Sequence, residues 1–389
     1  MTDRLYYNDS YLRDFPAEII DTADNGQVAY LDRTAFYPTS GGQPFDIGSL
    51  NQARVIEVID EDTRIVHRLD QPLAPGPVTG RIDWCRRFDH MQQHTGQHLL
   101  SAVFENLFGM QTLSFHMGAE VSTIELSASS LDPQQIIAVE RRANELIAEN
   151  REVHITFEDA QEVAGLRKAS DREGTLRIIE IHDLDRSACG GTHVRRTGEI
   201  GSILTRKLDK VRSNIRIEFV AGLRAVARSR AEFDALTAVA RAYSCSIDEA
   251  PRIAAANVER VQELDKAKRK MAGELAMFEG KAFFDSTPAD VDGIRRAIRR
   301  GPITEESRAF ANAFTAAGKA MLFWLSEDPP SLLLAASKDS GLNAGAKVKE
   351  ALAEVGGRGG GSPTSAQGSA PSREALAQVE ARILATWLS

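Results

Sequence analysis

The sequence predicts an α+β chain of several domains: a β-barrel-like N-terminal domain, an α/β domain with a metal site, a helical arm and a small C-terminal α/β domain. Three observations predict it. Short apolar stretches broken by turn-formers fill residues 1–88, helical apolar spacing sets in at Asp89, and beyond Gly222 the composition turns strongly helical before a final strand-rich segment. A length of 389 residues also exceeds that of one ordinary domain.

In the first segment (1–88), VAYL and ARVIEVI are bounded by DNG, PTSGGQP and APGP, the punctuation of strands joined by turns. The second (89–222) opens with DHMQQHTGQHLLSAVFENLFG. Its Leu99, Leu100, Val103, Phe104, Leu107 and Phe108 recur at helical spacing, with Asp89 as the expected N-cap and Gly109 as the stop. A strand over 122–126, a helix over 133–150 and strands over 153–157 and 176–181 follow.

The arm (223–285) carries Val258, Val261, Leu264, Met271, Leu275 and Phe278 on an Ala/Glu/Lys/Arg-rich background. Pairing with another chain and packing within its own both fit that pattern. In the last segment (286–389), MLFWL and SLLLAA are strands joined by the EDPP turn, and NAGAKVKEALAEV is a helix. GGRGGGSPTSAQGS fits either a linker or a binding element, and a closing helix carries Leu376, Val379, Ile383 and Leu384.

No apolar run approaches membrane-spanning length, and MTDRLYYNDSYLRDF lacks the apolar core of a signal peptide, so a cytoplasmic protein without a membrane partner is expected. Cys85, Cys189 and Cys245 are too few and too scattered for a disulfide framework. A net charge of -8 excludes coating of nucleic acid by bulk electrostatics. It leaves room for a local basic face. Arg206, Lys207, Lys210, Arg212 and Arg216 form one cluster, and Arg295, Arg296, Arg299 and Arg300 another; each fits a solvated surface as well as an RNA contact.

His94 and His98 are four apart on the predicted helix, so both imidazoles leave from one face. Cys189 and His193 in SACGGTHV are again four apart, with glycines between that allow a tight fold. Three nitrogens and one thiolate make a tetrahedral Zn2+ set. A zincin metalloprotease is excluded, because the glutamate that should follow the first histidine is Thr95. Closed four-ligand sites are usually structural. Either one ligand is exchangeable or the ion organises a pocket, and the sequence leaves both open.

FYPTSGGQPFDIG (36–48), DHMQQHTGQHLLSAVF (89–104), SFHMGAEVSTIEL (114–126), ACGGTHV (188–194), TGEIG (197–201) and IRIEFVAG (215–222) together resemble the alanyl-tRNA editing domain, found within alanyl-tRNA synthetases and in the free-standing AlaX proteins. The resemblance covers residues 1–222. The remainder is similar to the C-terminal part of those synthetases, whose small glycine-rich domain is also attached to DHH-type phosphoesterases. Their Asp-His-His motif is absent, since Asp89-His90 is followed by Met91. The chain resembles the long free-standing form, and no class II aminoacylation core is expected ahead of residue 1.

The resemblance implies zinc ligands at His94, His98, Cys189 and His193, and a glycine-rich loop at Ser40, Gly41, Gly42 and Gln43 bordering the substrate. The two glycines alone would also explain a simple β-turn. Gln43, with main-chain amides of these turns, is a candidate oxyanion donor. His116 is a candidate catalytic residue or a satisfied core histidine; Thr123 lines the pocket or points outward; Asp46 fixes its own turn. Lys207, Lys210, Arg212 and Arg216 are the candidate tRNA contacts.

The implied reaction is ATP-independent hydrolysis of Ser-tRNA(Ala), and of Gly-tRNA(Ala), in the service of translation fidelity. Its logic is physical: a small apolar pocket separates substrates differing by a methyl or hydroxyl by only about 10–200-fold. A second site built to hydrogen-bond the serine hydroxyl does better, because alanine leaves its polar groups unpaired. Two alternatives stay open: a non-catalytic tRNA-binding or synthetase-associated protein with a structural zinc, and editing of the threonyl type, against which the GGQ loop and IRIEFVAG speak. A homodimer through the arm or the C-terminal domain is a further expectation.

Overall fold

In ARVIEVID buried and exposed residues alternate, so one face of the strand must be covered. The N-terminal segment covers such faces by closing on itself. Its strands are β1 (Asp3–Arg4), β2 (Asp14–Ala23), β3 (Val28–Leu31), β4 (Arg33–Thr34), β5 (Gly48–Leu50), β6 (Ala53–Asp60), β7 (Ile65–Leu69) and β8 (Gly76–Ile82). In this computed structural model, which describes residues 1–171, 173–385 and 387, they form a closed barrel in the order β2-β3-β7-β6-β5-β8, with β1 paired in parallel to β4 outside it. Phe15, Ile19, Leu31, Leu50, Val58 and Ile65 fill its interior. The barrel expected from the sequence is present.

Helix α1 (Trp84–Phe108) leaves the barrel directly. It starts ahead of the expected position because Asp83, not Asp89, is the N-cap, accepting from Arg86 N. Asp89 lies inside the helix and pairs with Arg224 at 2.6 Å. Gly109 ends the helix in the left-handed conformation, as expected. From His90 to Phe104 every residue is buried, polar ones included. These polar groups find partners across the fold: Gln93 exchanges hydrogen bonds with the Ala221 main chain at 2.9 Å in both directions, and Gln92 donates to Glu199 O.

Two sheets surround α1. The strands β9 (Thr112–Met117), β10 (Ser122–Leu126), β14 (Ile203–Val211) and β15 (Asn214–Ala221) assemble in the order β14-β15-β10-β9. β11 (Val153–Asp159), β12 (Thr175–Ile181) and β13 (Asp185–Ala188) form the second sheet. Helix α2 (Pro133–Ala148) begins at an Asp132 capping box. Leu99, Leu100, Phe104, Ile124, Leu146 and Phe219 are among the side chains of the shared core.

The chain divides into two compact units, Met1–Ala238 and Val239–Ser389. The boundary falls within α3 (Gly222–Ala242). In the second unit α4 (Ala250–Ser286) packs through Ala276 and Gly280, with Phe283 and Phe284, near α5 (Glu305–Ala316). The apolar residues expected to decide its packing, Val258, Val261, Leu264, Met271, Leu275 and Phe278, are all exposed.

The strands β16 (Arg295–Arg300), β17 (Ala320–Glu327), β18 (Pro330–Ala336), β19 (Arg358–Gly361) and β20 (Ser365–Ser369) make one sheet in the order β16-β17-β18-β20-β19. Along β17, Met321, Phe323 and Leu325 face the core of α6 (Ala344–Ala353) and α7 (Arg373–Ala385), while Ala320 and Leu322 face that of α5. Burial on both faces explains the continuous apolar run MLFWL. The arginine cluster 295–300 lies on edge strand β16, and the glycine-rich stretch, open in the sequence between linker and binding element, is the β19–β20 hairpin. Gly359 and Gly368 lie face to face across it, where close backbone approach leaves no room for side chains. Among the described residues no helix is long and apolar enough to cross a membrane. The architecture is α+β.

Candidate metal centre and substrate cleft

The i, i+4 spacing puts His94 and His98 on one face of α1, as expected. Strand β13 delivers Cys189 to that face, and the two glycines after it turn the chain so that His193 returns. The four donor atoms lie within 4.8 Å of one another. Cys189 Sγ is 3.5 Å from His94 Nε2 and 3.4 Å from His193 Nε2. Tetrahedral bonds of about 2.0 Å to nitrogen and 2.3 Å to sulfur would separate such donors by roughly 3.5 Å. The donor set fits a metal ion in both chemistry and spacing.

Each imidazole is anchored through its other nitrogen. His94 Nδ1 donates to Gln43 Oε1 at 2.7 Å, His98 Nδ1 donates to Asp185 Oδ2 at 2.8 Å, and His193 Nδ1 shares a hydrogen bond of 3.2 Å with Thr95 Oγ1. A ring that donates through Nδ1 turns the lone pair of Nε2 toward the common centre. Asp185 is itself held by Arg167 at 2.6 Å and by Ser187. Burial opposes the charged forms of both partners. The hydrogen bond between them outweighs it, holding the Asp185 carboxyl below its usual range and His98 up at about 9. Burial also opposes ionisation of Cys189, yet His94 and His193 beside it draw the thiol well below its ordinary value.

The tight turn at Ser40–Gln43 closes with reciprocal main-chain hydrogen bonds of 3.1 and 2.9 Å. Gly41 and Gly42 have φ of 56° and 83°, the left-handed pair that a two-residue turn of this hand requires. Gly191 is needed for space instead, since a Cβ there would lie 2.2 Å from the His94 ring. A cleft of about 420 Å³ opens over the cluster. His94, His98 and Cys189 form its base, and Tyr7, Tyr37, Ser40, Gly41, Phe115, Arg167 and Lys168 contribute to its walls.

Several expected site residues stand elsewhere. Gln43 is fully buried and spends both ends of its amide on the protein, accepting from His94 and Thr192 N and donating to Thr192 Oγ1 at 2.8 Å. Gln43 is thus held between His94 and the Thr192 loop, and it is not among the residues that line the cleft. His116 is exposed and neither lines the cleft nor belongs to the core. It pairs across strands with half-buried Thr123, on the face of the sheet opposite Phe115 and Ile124. The period of two thus gives the cleft to Phe115 and removes His116 and Thr123 from it. Gly42 contributes main chain, its carbonyl accepting from Met117 N at 3.0 Å. Asp46 does fix its turn, accepting from Tyr37 N, but it also meets fully buried Arg87 at 2.5 Å and so joins barrel to helix.

The basic cluster lies on the β14–β15 hairpin. Lys207 pairs with Asp209, Arg206 with Glu232 and Arg216 with Glu125, whereas Lys210 and Arg212 are exposed with no salt bridge among the described residues. The sequence reading passed over Asp185, although strand alternation through 185, 187 and 189 places it on the face of Cys189. It gave no signal for Arg177, Thr95 or Thr192.

Comparison with known proteins agrees with this geometry. Residues 176–218, spanning both the ligand loop and the basic hairpin, match the family model described as the threonyl and alanyl tRNA synthetase second additional domain. Bovine (Bos taurus) alanyl-tRNA editing protein Aarsd1 is 34% identical over 286 residues, covering 67% of this chain and 62% of its own length, so the alignment spans less than two thirds of that relative. Alanyl-tRNA editing protein AlaX-M of Methanosarcina mazei is 36% identical over 242 residues, 56% of this chain and 96% of its own. Alanyl-tRNA editing protein AlaX-L of Pyrococcus horikoshii is 30% identical over 403 residues, 95% of this chain and 94% of its own. With an alignment that runs nearly end to end in both chains and passes through all four converging donors, this protein belongs to the alanyl-tRNA editing family.

Proposed function

We propose that this chain hydrolyses the ester of tRNA(Ala) mischarged with serine, and with glycine, releasing free amino acid and tRNA without ATP, in the cytoplasm where translation proceeds. The observation that supports it most is the opening of the His94–His98–Cys189–His193 cluster onto a cleft large enough for an aminoacylated nucleoside. A purely structural metal would more naturally be sealed in. His94, His98, Cys189 and His193 would hold Zn2+, which when bound supplies a Lewis acid for carbonyl or water, or a seat for the substrate amine.

The protein's own groups do the rest. Gln43, Asp185 and Thr95 keep three imidazoles aimed at one point, so no reorientation is needed when substrate arrives. Ser40 and Gly41 border the ester, and the walls carrying Tyr7, Tyr37 and Phe115 limit water around it. Asp185, the carboxylate bonded to His98, is already engaged by Arg167 and Ser187 as well, and Asp60 in the cleft wall is held by Arg4. Lys207, Lys210, Arg212 and Arg216 on the β14–β15 hairpin would meet tRNA phosphates. A functional division follows: 1–88 and 89–222 build the cleft, 223–285 is an arm whose exposed apolar row suits pairing of two copies, and 286–389 assists tRNA binding.

Incubation with Ser-tRNA(Ala), Gly-tRNA(Ala) and Ala-tRNA(Ala) tests the reading. Serine and glycine are expected to be released far faster than alanine, and Cys189→Ala is expected to lower both zinc content and deacylation. Persistent tRNA binding with no ester cleaved faster than in buffer would replace the enzyme with a non-catalytic tRNA-binding protein.

A further inference from the structure

Arg177, on β12, is the buried cation of the site that no carboxylate answers. It is 7% exposed and makes no salt bridge among the described residues. Its guanidinium is spent on three main-chain carbonyls: Nε donates to Tyr7 O at 2.9 Å, and Nη1 to Cys189 O at 2.6 Å and Gly191 O at 2.9 Å. Its own carbonyl accepts from Cys189 N at 3.0 Å, so side chain and main chain of one residue grip both polar groups of the cysteine's backbone. Nη2 is buried without a partner. Burying a guanidinium without a carboxylate partner is costly, and the Tyr7 ring, 5.5 Å from its central carbon, offsets only part of that cost. A generic core position would be filled more cheaply by an apolar side chain.

The position explains the expense. The β12–β13 register ends at Ile178–Ala188, so beyond the single main-chain bond from Cys189 N to Arg177 O the loop has no strand pairing and two glycines to set its path. A loop so free in its backbone loses entropy when it is ordered, and that loss would be subtracted from the affinity for any ion. A planar fork donates from separate nitrogens in fixed directions and so reaches Tyr7 O and the carbonyls of Cys189 and Gly191 together, whereas an ammonium's three donors sit on one freely rotating nitrogen.

Resting on the metal reading of the cluster, we propose that Arg177 is a positioning residue that preforms the Cys189–Gly191 ligand loop before metal arrives and ties it to the Tyr7 wall of the cleft. Arg177→Lys keeps the charge and removes the fork. Zn2+ affinity of the full-length Arg177→Lys chain, measured by chelator competition, is expected to fall about 10–100-fold with its circular dichroism unchanged. Deacylation lost at low zinc is expected to return as free zinc is raised, which a merely structural defect would not allow. Zinc affinity within twofold of wild type overturns the proposal.

Hydrogen exchange of the wild-type chain supplies a test that needs no variant. Peptides covering 188–192 are expected to exchange as slowly without zinc as with it. Fast exchange without zinc overturns the proposal, because the metal would then order the loop. A wild-type chain that takes up no zinc would refute the metal reading itself, an outcome distinct from wild-type binding that Arg177→Lys leaves unaltered.

Discussion

Gln43 Oε1 accepts from His94 Nδ1 at 2.7 Å while Gln43 Nε2 donates to Thr192 Oγ1 at 2.8 Å, so one side chain from the glycine turn orients a ligand on α1 and the loop that carries the other two. Gln43→Ala is expected to weaken zinc binding about 10–100-fold. Excess zinc should restore part of the deacylation. Chelator competition checks this, and a lowered kcat with unchanged zinc affinity would return Gln43 to a substrate-contacting role.

Arg87 and Asp46 are both fully buried, and Arg87 also donates to Ser10 O and Ala35 O. Arg87→Met leaves a buried carboxylate without its cation, so a loss of about 3–5 kcal/mol is expected in urea unfolding. A loss below about 1 kcal/mol, the scale of an exposed pair, would mean that Asp46 finds water or another donor.

On the β14–β15 hairpin, Lys210 and Arg212 have no acidic partner among the described residues, whereas Arg216 lies 3.6 Å from Glu125. Lys210→Ala and Arg212→Ala should each reduce the slope of log K against log salt for tRNA binding by about 1. Arg216→Ala should change it less, because Glu125 already offsets part of that charge. Slopes unaltered in all three variants would assign the hairpin to solvent.

In the barrel, burial disfavours the charged ring of His67 and holds its pKa at about 4, although the Ala29 carbonyl works the other way. Between that value and the ordinary 6.5 the unfolded chain binds a proton that the folded chain does not. This contribution is therefore complete above about pH 6.5 and is lost as pH falls, by roughly 3 kcal/mol near pH 4. Urea midpoints at pH 7 and pH 5 should fall further in wild type than in His67→Gln. Equal falls would place the acid sensitivity elsewhere.

Much of this was legible because it is local. The i, i+4 pairs announce His94 with His98 and Cys189 with His193, and β10 runs over the very residues, 122–126, that its alternation marks. The start of α1 was misread because its first turns, WCRRFD, bury only Arg87 and leave the rest half-buried or exposed, so apolar periodicity carried no signal there. By composition GGRGGG fitted a linker as well as a binding element, and its missing side chains are what allow the close pairing of β19 and β20.

By itself the sequence determined the candidate His/Cys cluster, the α+β class and the family, since these depend on residue type and short-range spacing. Tertiary structure alone decided which groups serve the ligands. Gln43 reaches His94 across 51 residues of chain, Asp185 reaches His98 across 87, and Thr95 reaches His193 across 98. It also moved His116 and Thr123 to the outer face of their sheet and gave Arg177 its three carbonyls. A hydrogen bond depends on angles and distances of a few ångströms, and no pattern along the chain encodes those until the barrel, α1 and β13 have packed together.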